Sequence, residues 1–159
     1  MTQDDDDRFL ARAVALAQAH MAASAGGPFG AVVVRDGAIL AEGWNEVTSV
    51  GDPTAHAEVT AIRRACRATG SPHLDGATLY ASCEPCAMCL AAAYWARIAR
   101  IVHASTRDEA AAIGFDDARI YDELAKPPAE RSLPMVHRPR DDARDAFEAW
   151  LAKSDRIPY

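Results

Sequence analysis

Ala77-Thr78-Leu79-Tyr80-Ala81-Ser82-Cys83-Glu84-Pro85-Cys86-Ala87-Met88-Cys89 decides how the rest of the chain is read. Ala77 to Ser82 is short and largely apolar, as in a buried strand. Cys83-Glu84-Pro85 turns the chain, and Pro85 opens a helix that should run from Cys86 to about Ala96. Cys86 and Cys89 lie three apart, on one face of its first turn. Upstream, His56-Ala57-Glu58 adds an imidazole and a carboxylate. One nitrogen and two sulfurs can hold a zinc ion and leave its fourth position open. Such an ion lowers the pKa of a bound water to about 7.

Working outward, His56 belongs to a helix expected to start at Asp52-Pro53, with Asp52 as cap and Pro53 in the first helical position, and to end near Gly70. Positions two apart on a helix point about 200° apart. If His56 and Glu58 serve one site, it must therefore lie off the helix N-terminus. Two helix N-termini would converge there, and their partial positive charge suits thiolates.

Before that helix, Asp4 to Asp7 form an acidic first turn, and a helix should follow to about Ala23 with Leu10, Val14, Ala17 and Met21 as its apolar stripe. Gly26-Gly27-Pro28-Phe29-Gly30 stops it. Phe29 either stacks on a planar ligand or fills the core. Ala31 to Arg35 and Ala38 to Asn45 read as strands of a hairpin turning at Asp36-Gly37. Asn45, closing the second strand, could donate to and accept from a base edge, or could bond local backbone.

After the cysteines, a strand is expected within Ile98 to Ser105 and short helices over Asp108 to Ile113 and Ala118 to Leu124. A last strand is expected at Leu133 to His137. A final helix, Asp141 to Lys153, should turn Phe147, Trp150 and Leu151 inward. Strands separated by helices indicate an α/β sandwich, with a mostly parallel half-sheet after the hairpin. The strands number five, in one domain spanning 1–159.

With 159 residues, half of them hydrophobic, the chain can bury one good core. No stretch approaches the roughly 18 unbroken apolar residues of a membrane span. No secretory leader is read at the start, so a cytoplasmic location is expected. A net charge of −6 opposes binding to phosphate backbones. Arg63-Arg64-Arg67 is the nearest thing to a basic strip and reads better as a solvated helix face. His20, His73, His103 and His137 have no motif around them, and Met88 reads as packing. Trp95 lies roughly 13 Å along the helix from Cys86, suiting core or subunit packing.

Three readings of the cysteines compete. In one, His56, Cys86 and Cys89 bind a catalytic zinc and Glu58 carries protons. In another, Cys83 closes a structural Cys3His site. In the third, the thiols bind no metal. The first is favoured. A closed site leaves Glu58 without a task, and Cys83 precedes Pro85, off the face shared by Cys86 and Cys89.

The pairing H-x-E…P-C-x-x-C is the signature of zinc-dependent base deaminases. The chain resembles the cytidine deaminase superfamily and, within it, the bacterial guanine deaminases. The resemblance rests on Gly-Gly-Pro-Phe-Gly-Ala-Val at 26–32, Asp-Pro-Thr-Ala-His-Ala-Glu-Val at 52–59 and Ser-Cys-Glu-Pro-Cys-Ala-Met-Cys at 82–89. Tyr-Trp-Ala-Arg at 94–97, Gly-Phe-Asp-Asp at 114–117 and a terminal tyrosine extend it. It implies a three-layer α/β/α sandwich around a five-stranded mixed sheet, with one zinc per subunit. It implies a homodimer with the segment from about 140 to 159 exchanged between subunits. It implies hydrolysis of guanine, or of a related aminated ring such as ammeline, with tRNA adenosine as an alternative; the partner is then a small base, not nucleic acid or membrane. By position, His56, Cys86 and Cys89 match the metal ligands and Glu58 the proton shuttle. Asn45, Phe29, Ala57, Asp117 and Tyr159 match the substrate contacts, with Asp117 reading guanine and Tyr159 closing the pocket.

Overall fold

The structure, a computed structural model, describes residues 2–158. It divides into two compact units, Met1–Asp117 and Ala118–Tyr159. The first holds α1 (Gln3–Ala22), β1 (Gly30–Arg35), β2 (Ala38–Trp44), α2 (Val47–Val50), α3 (Ala57–Thr69), β3 (Thr78–Cys83), α4 (Ala87–Trp95), β4 (Arg100–Ser105) and α5 (Arg107–Ala112). The second holds α6 (Ala118–Ala125), a 3-10 turn (Pro128–Glu130) and α7 (Asp141–Ala152).

The α1 helix opens as its acidic turn predicts. Thr2 and Asp5 cap each other's backbone N–H, and Asp4, Asp5 and Asp6 sit at its positive end. Its buried face is Phe9, Ala13, Leu16 and Ala17, so the expected stripe is rotated and Met21 is exposed. Two apolar ladders run along this helix. The one led by Phe9 wins because its ring packs on Tyr80, 5.1 Å between centroids.

The sheet runs β2-β1-β3-β4. β1 is antiparallel to β2 and to β3, with Val32 opposite Tyr80, and only β3 and β4 run parallel. The mostly parallel half-sheet is thus a single parallel pair. The fifth strand is absent among the described residues. Pro134 removes a ladder donor from Leu133 to His137, and Leu133, Met135 and Val136 stay exposed.

Alternation along the strands sorts the core into two faces. Ala31, Val33 and Leu79 pack against Ala57, Ala61, Ile62 and Ala65 of α3 and Ala93 of α4. Val32, Val34 and Tyr80 pack against Phe9 and Leu16 of α1. The first unit is therefore an α/β/α sandwich. Each fully buried Val, Leu, Ile or Phe among them contributes roughly 1.5–3 kcal/mol. At Gly43 a Cβ would meet the Ala57 carbonyl at 2.3 Å, so only glycine lets the start of α3 lie this close to β2.

In the second unit, Arg131 donates to the carbonyls of Glu123 and Lys126, and Glu123 accepts from Ser132 N–H and pairs with Lys126. Phe147, Trp150 and Leu151 of α7 are exposed, not turned inward as expected. Their spacing gives one apolar stripe, but periodicity does not supply the surface that would cover it.

Candidate metal centre

The helix expected to have Asp52 as cap and Pro53 as first residue begins four residues later, with Ala57 as first residue. Asp52 is diverted into a local turn, where its Oδ1 accepts from the Thr54 N–H and hydroxyl at 2.8 and 2.7 Å. His56 becomes the N-cap of α3. Cys86, expected inside its helix, is likewise the N-cap of α4. Neither side chain caps its own helix, so both remain available to meet in front of the two N-termini. The three donors gather off the helix ends, because His56 and Cys86 are the N-caps.

Cys86 Sγ lies 3.6 Å from His56 Nδ1, Cys89 Sγ lies 3.5 Å from the same nitrogen, and the two sulfurs are 3.5 Å apart. Zinc bonds of about 2.3 Å to sulfur and about 2.05 Å to nitrogen place neighbouring tetrahedral donors about 3.5–3.8 Å apart. The three donors fit zinc in both chemistry and spacing, and they form a group that could hold a metal ion. Cys83 is not in it. Its thiol donates to the Thr106 carbonyl at 3.4 Å, and burial pushes it up to about 11.

Hydrogen bonds from Cys89 and His56 bring the Cys86 thiol down to about 4, against the opposing effect of burial. The Cys89 thiol is pushed up by its hydrogen bond with Cys86 and by burial. His56 is raised by its bond to Cys86. A bound dication ends this sharing of a proton, since a coordinating thiol is deprotonated outright. Glu58, on the first turn of α3, is 7% exposed. Burial pushes its carboxyl up to about 6, opposed by its own backbone N–H and by His56.

Asn45 is also 7% exposed. Its Oδ1 accepts from Gly27 N–H at 3.2 Å and Val47 N–H at 3.3 Å. The local-backbone reading is thus realised at the oxygen, and only the amide NH2 is left to meet a base. At Gly26 a Cβ would sit 2.1 Å from the Asn45 carbonyl, which is why glycine is needed there. Phe29 is half-buried against the core and meets Phe115 edge-on, 4.8 Å between centroids. Ala57 is fully buried, with its methyl in the core. Asp117 is half-buried; burial raises its carboxyl, Arg107 pulls it back, and the charge of Cys86 reaches it. Tyr159 lies outside the described residues. Arg63 and Arg64 are engaged by Asp52 at 3.5 Å and Glu46 at 3.0 Å.

One aromatic at the site had been given no task. Phe115 follows Gly114 and precedes Asp117 by two residues, so its ring fastens the 114–117 turn to the Gly26–Gly30 loop. An apolar ring directly after a glycine turn was the available signal.

The family model for the cytidine and deoxycytidylate deaminase zinc-binding region matches residues 3–105. Guanine deaminase of Bacillus subtilis is 53% identical over 153 residues, 96% of this chain and 98% of that one. Its crystal structure superposes with a TM-score of 0.94 at 49% identity, covering 100% of this chain and 99% of that one. The tRNA-specific adenosine deaminase of Agrobacterium fabrum is 44% identical over 86 residues, 54% of this chain and 57% of its own. With this match, the donor triad and the α/β/α frame behind it, the chain belongs to the cytidine and deoxycytidylate deaminase family of zinc-dependent enzymes.

Proposed function

We propose that this enzyme hydrolyses guanine to xanthine and ammonia. The observation that carries the reading is the His56, Cys86 and Cys89 triad with the buried carboxyl of Glu58 beside it. Similarity to the Bacillus enzyme along nearly the whole chain directs it to guanine.

The reaction adds water at C2 of the base, breaks the bond to the exocyclic nitrogen and releases that nitrogen as ammonia. When bound, zinc supplies a nucleophile derived from water at neutral pH. His56, Cys86 and Cys89 would hold the ion. Glu58 takes a proton from the attacking water and gives it to the ring nitrogen beside C2, then takes the remaining proton of the hydroxyl added at C2 and passes it to the departing amine. The amide NH2 of Asn45 donates to an acceptor on the base. Asp117 accepts from guanine N1–H, a donor that adenine and cytosine lack. Phe29 stacks on the ring and Ala57 lines the site.

The family also supports deamination of a related ring such as ammeline, or of adenosine in tRNA. The net charge of −6 and the pairing of Arg63 and Arg64 with carboxylates favour a small neutral base over RNA. We read the enzyme as a homodimer in which the segment from about 140 to 159 crosses to the partner. The exposed Tyr94 and Trp95 of α4 and the exposed Phe147 and Leu151 of α7 support that reading, because apolar surface of this kind marks an interface. Among the described residues no helix is long and apolar enough to cross a membrane. Free thiols at the site suit a cytoplasmic location.

Ammonia release measured across guanine, guanosine, adenine, cytosine and ammeline tests the substrate. Guanine should give the highest kcat/KM. A zinc-loaded enzyme that leaves guanine untouched while deaminating another ring would contradict the assignment.

A further inference from the structure

Arg64 reaches round the open edge of the sheet. It stands on α3, which packs on one face, while α1 packs on the other. β2 is the terminal strand, so its outward carbonyls have no neighbouring strand among the described residues. The Arg64 guanidinium donates to the carbonyl of Glu42 at 3.0 Å and to both carboxylate oxygens of Glu46 at 3.1 and 3.0 Å. It also lies over Trp44, 4.2 Å from the ring centre. His20, at the end of α1, stacks on the same indole at 3.6 Å with planes 2° apart. A ring that close and that parallel covers one face, leaving the other to the guanidinium. One side chain therefore grips residues 42, 44 and 46, and Asn45 sits inside the grip.

Backbone bonds complete the clamp from within. Asn45 N–H donates to the Phe29 carbonyl at 3.0 Å. Glu46 N–H donates to the carbonyl of Ala55 at 2.9 Å, one residue before His56. With Oδ1 spent on Gly27 and Val47, the direction of the Asn45 NH2 depends on how the 44–46 backbone is held.

We propose that Arg64 is a positioning residue for the substrate: by clamping Trp44 and Glu46 around the sheet edge, it aims the Asn45 amide at the base. The inference rests on the reading of Asn45 as a base contact. A planar fork that stacks while making several hydrogen bonds is a property of arginine that lysine lacks.

The test is a double-mutant cycle on the zinc-loaded enzyme. Wild type, Arg64→Met, Asn45→Ala and the double variant are compared for KM, kcat, zinc content and Tm, using guanine or whichever aminated ring the wild type accepts. Arg64→Met should raise KM about tenfold, change kcat by less than about twofold and leave zinc content unchanged. In the Asn45→Ala background it should leave KM where it was, because the aimed group is gone. Arg64→Lys should show the same rise in KM, which keeps the test decisive if the methionine variant does not fold. An unchanged KM in the Arg64 variants, or KM effects that multiply in the double variant, overturns the inference. A wild type that deaminates no free base overturns the functional reading and this inference together.

Discussion

The metal cradle and the segment from Ala118 onward are built in opposite senses. At the cradle, polar groups are buried and partnered. Asn45 accepts two backbone N–H bonds, Ser82 Oγ accepts from Gly30 N–H at 3.0 Å, and the buried Glu58 carboxyl interacts with His56, Cys86 and Cys89. In α7, apolar groups face outward: Phe147 is 75% and Leu151 65% exposed. Buried polar groups cost free energy unless paired, so the cradle is a preorganised site. Exposed apolar groups contribute nothing to stability until water is removed from them, so α7 carries an apolar surface that a cover would bury.

The sharpest way to break this contrast is to strip the cradle. Cys86→Ser and Cys89→Ser should each lose most bound zinc by metal analysis, whereas Cys83→Ser should keep it. Glu58→Gln should keep zinc and lower kcat by about 10³–10⁴-fold, toward the upper range for a proton-transfer group. A Glu58→Gln enzyme that still turns over normally would remove the carboxyl from the mechanism.

Core and cover should differ next. Leu79→Ala, at a fully buried position of β3, should cost about 2–5 kcal/mol in chemical denaturation. Phe147→Ala should change the stability of an isolated chain by less than about 0.5 kcal/mol. If α7 crosses to a partner, that substitution instead lowers Tm in a way that depends on protein concentration. A Phe147→Ala cost as large as that of Leu79→Ala at every concentration would erase the distinction.

These two regions also differ in how far the sequence could be read. His56, Cys86 and Cys89 were legible because metal donors need fixed residue types at short spacings, and helix geometry then places the site off an N-terminus. The point at which α3 begins was not, because Asp52 had two local uses and the turn with Thr54 won. The bond from local backbone to the Asn45 oxygen was legible, but the second one, donated by Gly27 from far away in sequence, was not. Arg64 read as a solvated helix face because its partners Glu42, Trp44 and Glu46 lie on β2 and just after it, not on α3. The strand expected at Leu133 to His137 failed for a related reason. Composition can nominate a strand, but pairing needs a neighbour that no local pattern supplies.

Smaller effects refine the picture. Asp117→Asn should raise KM for guanine about tenfold while leaving a substrate without the N1–H donor less affected. Equal losses on all substrates would deny Asp117 a reading role. At the far end of the first unit, Arg100 and the Tyr80 hydroxyl hold the Asp6 carboxyl below its ordinary 3.8. A depressed carboxyl stabilises the fold above its unfolded value and loses that contribution as pH falls through the folded one. Asp6→Asn should therefore lower Tm at pH 6 and converge with wild type in strong acid. A gap that persists undiminished into strong acid would show that the ion pair is not its source.

X-ray absorption at the zinc edge of the loaded enzyme tests the central claim most directly. The account predicts two sulfurs and one histidine nitrogen around each ion, with a light atom such as oxygen completing the shell. Three sulfurs, with Cys83 drawn in, would close the site and contradict hydrolysis there.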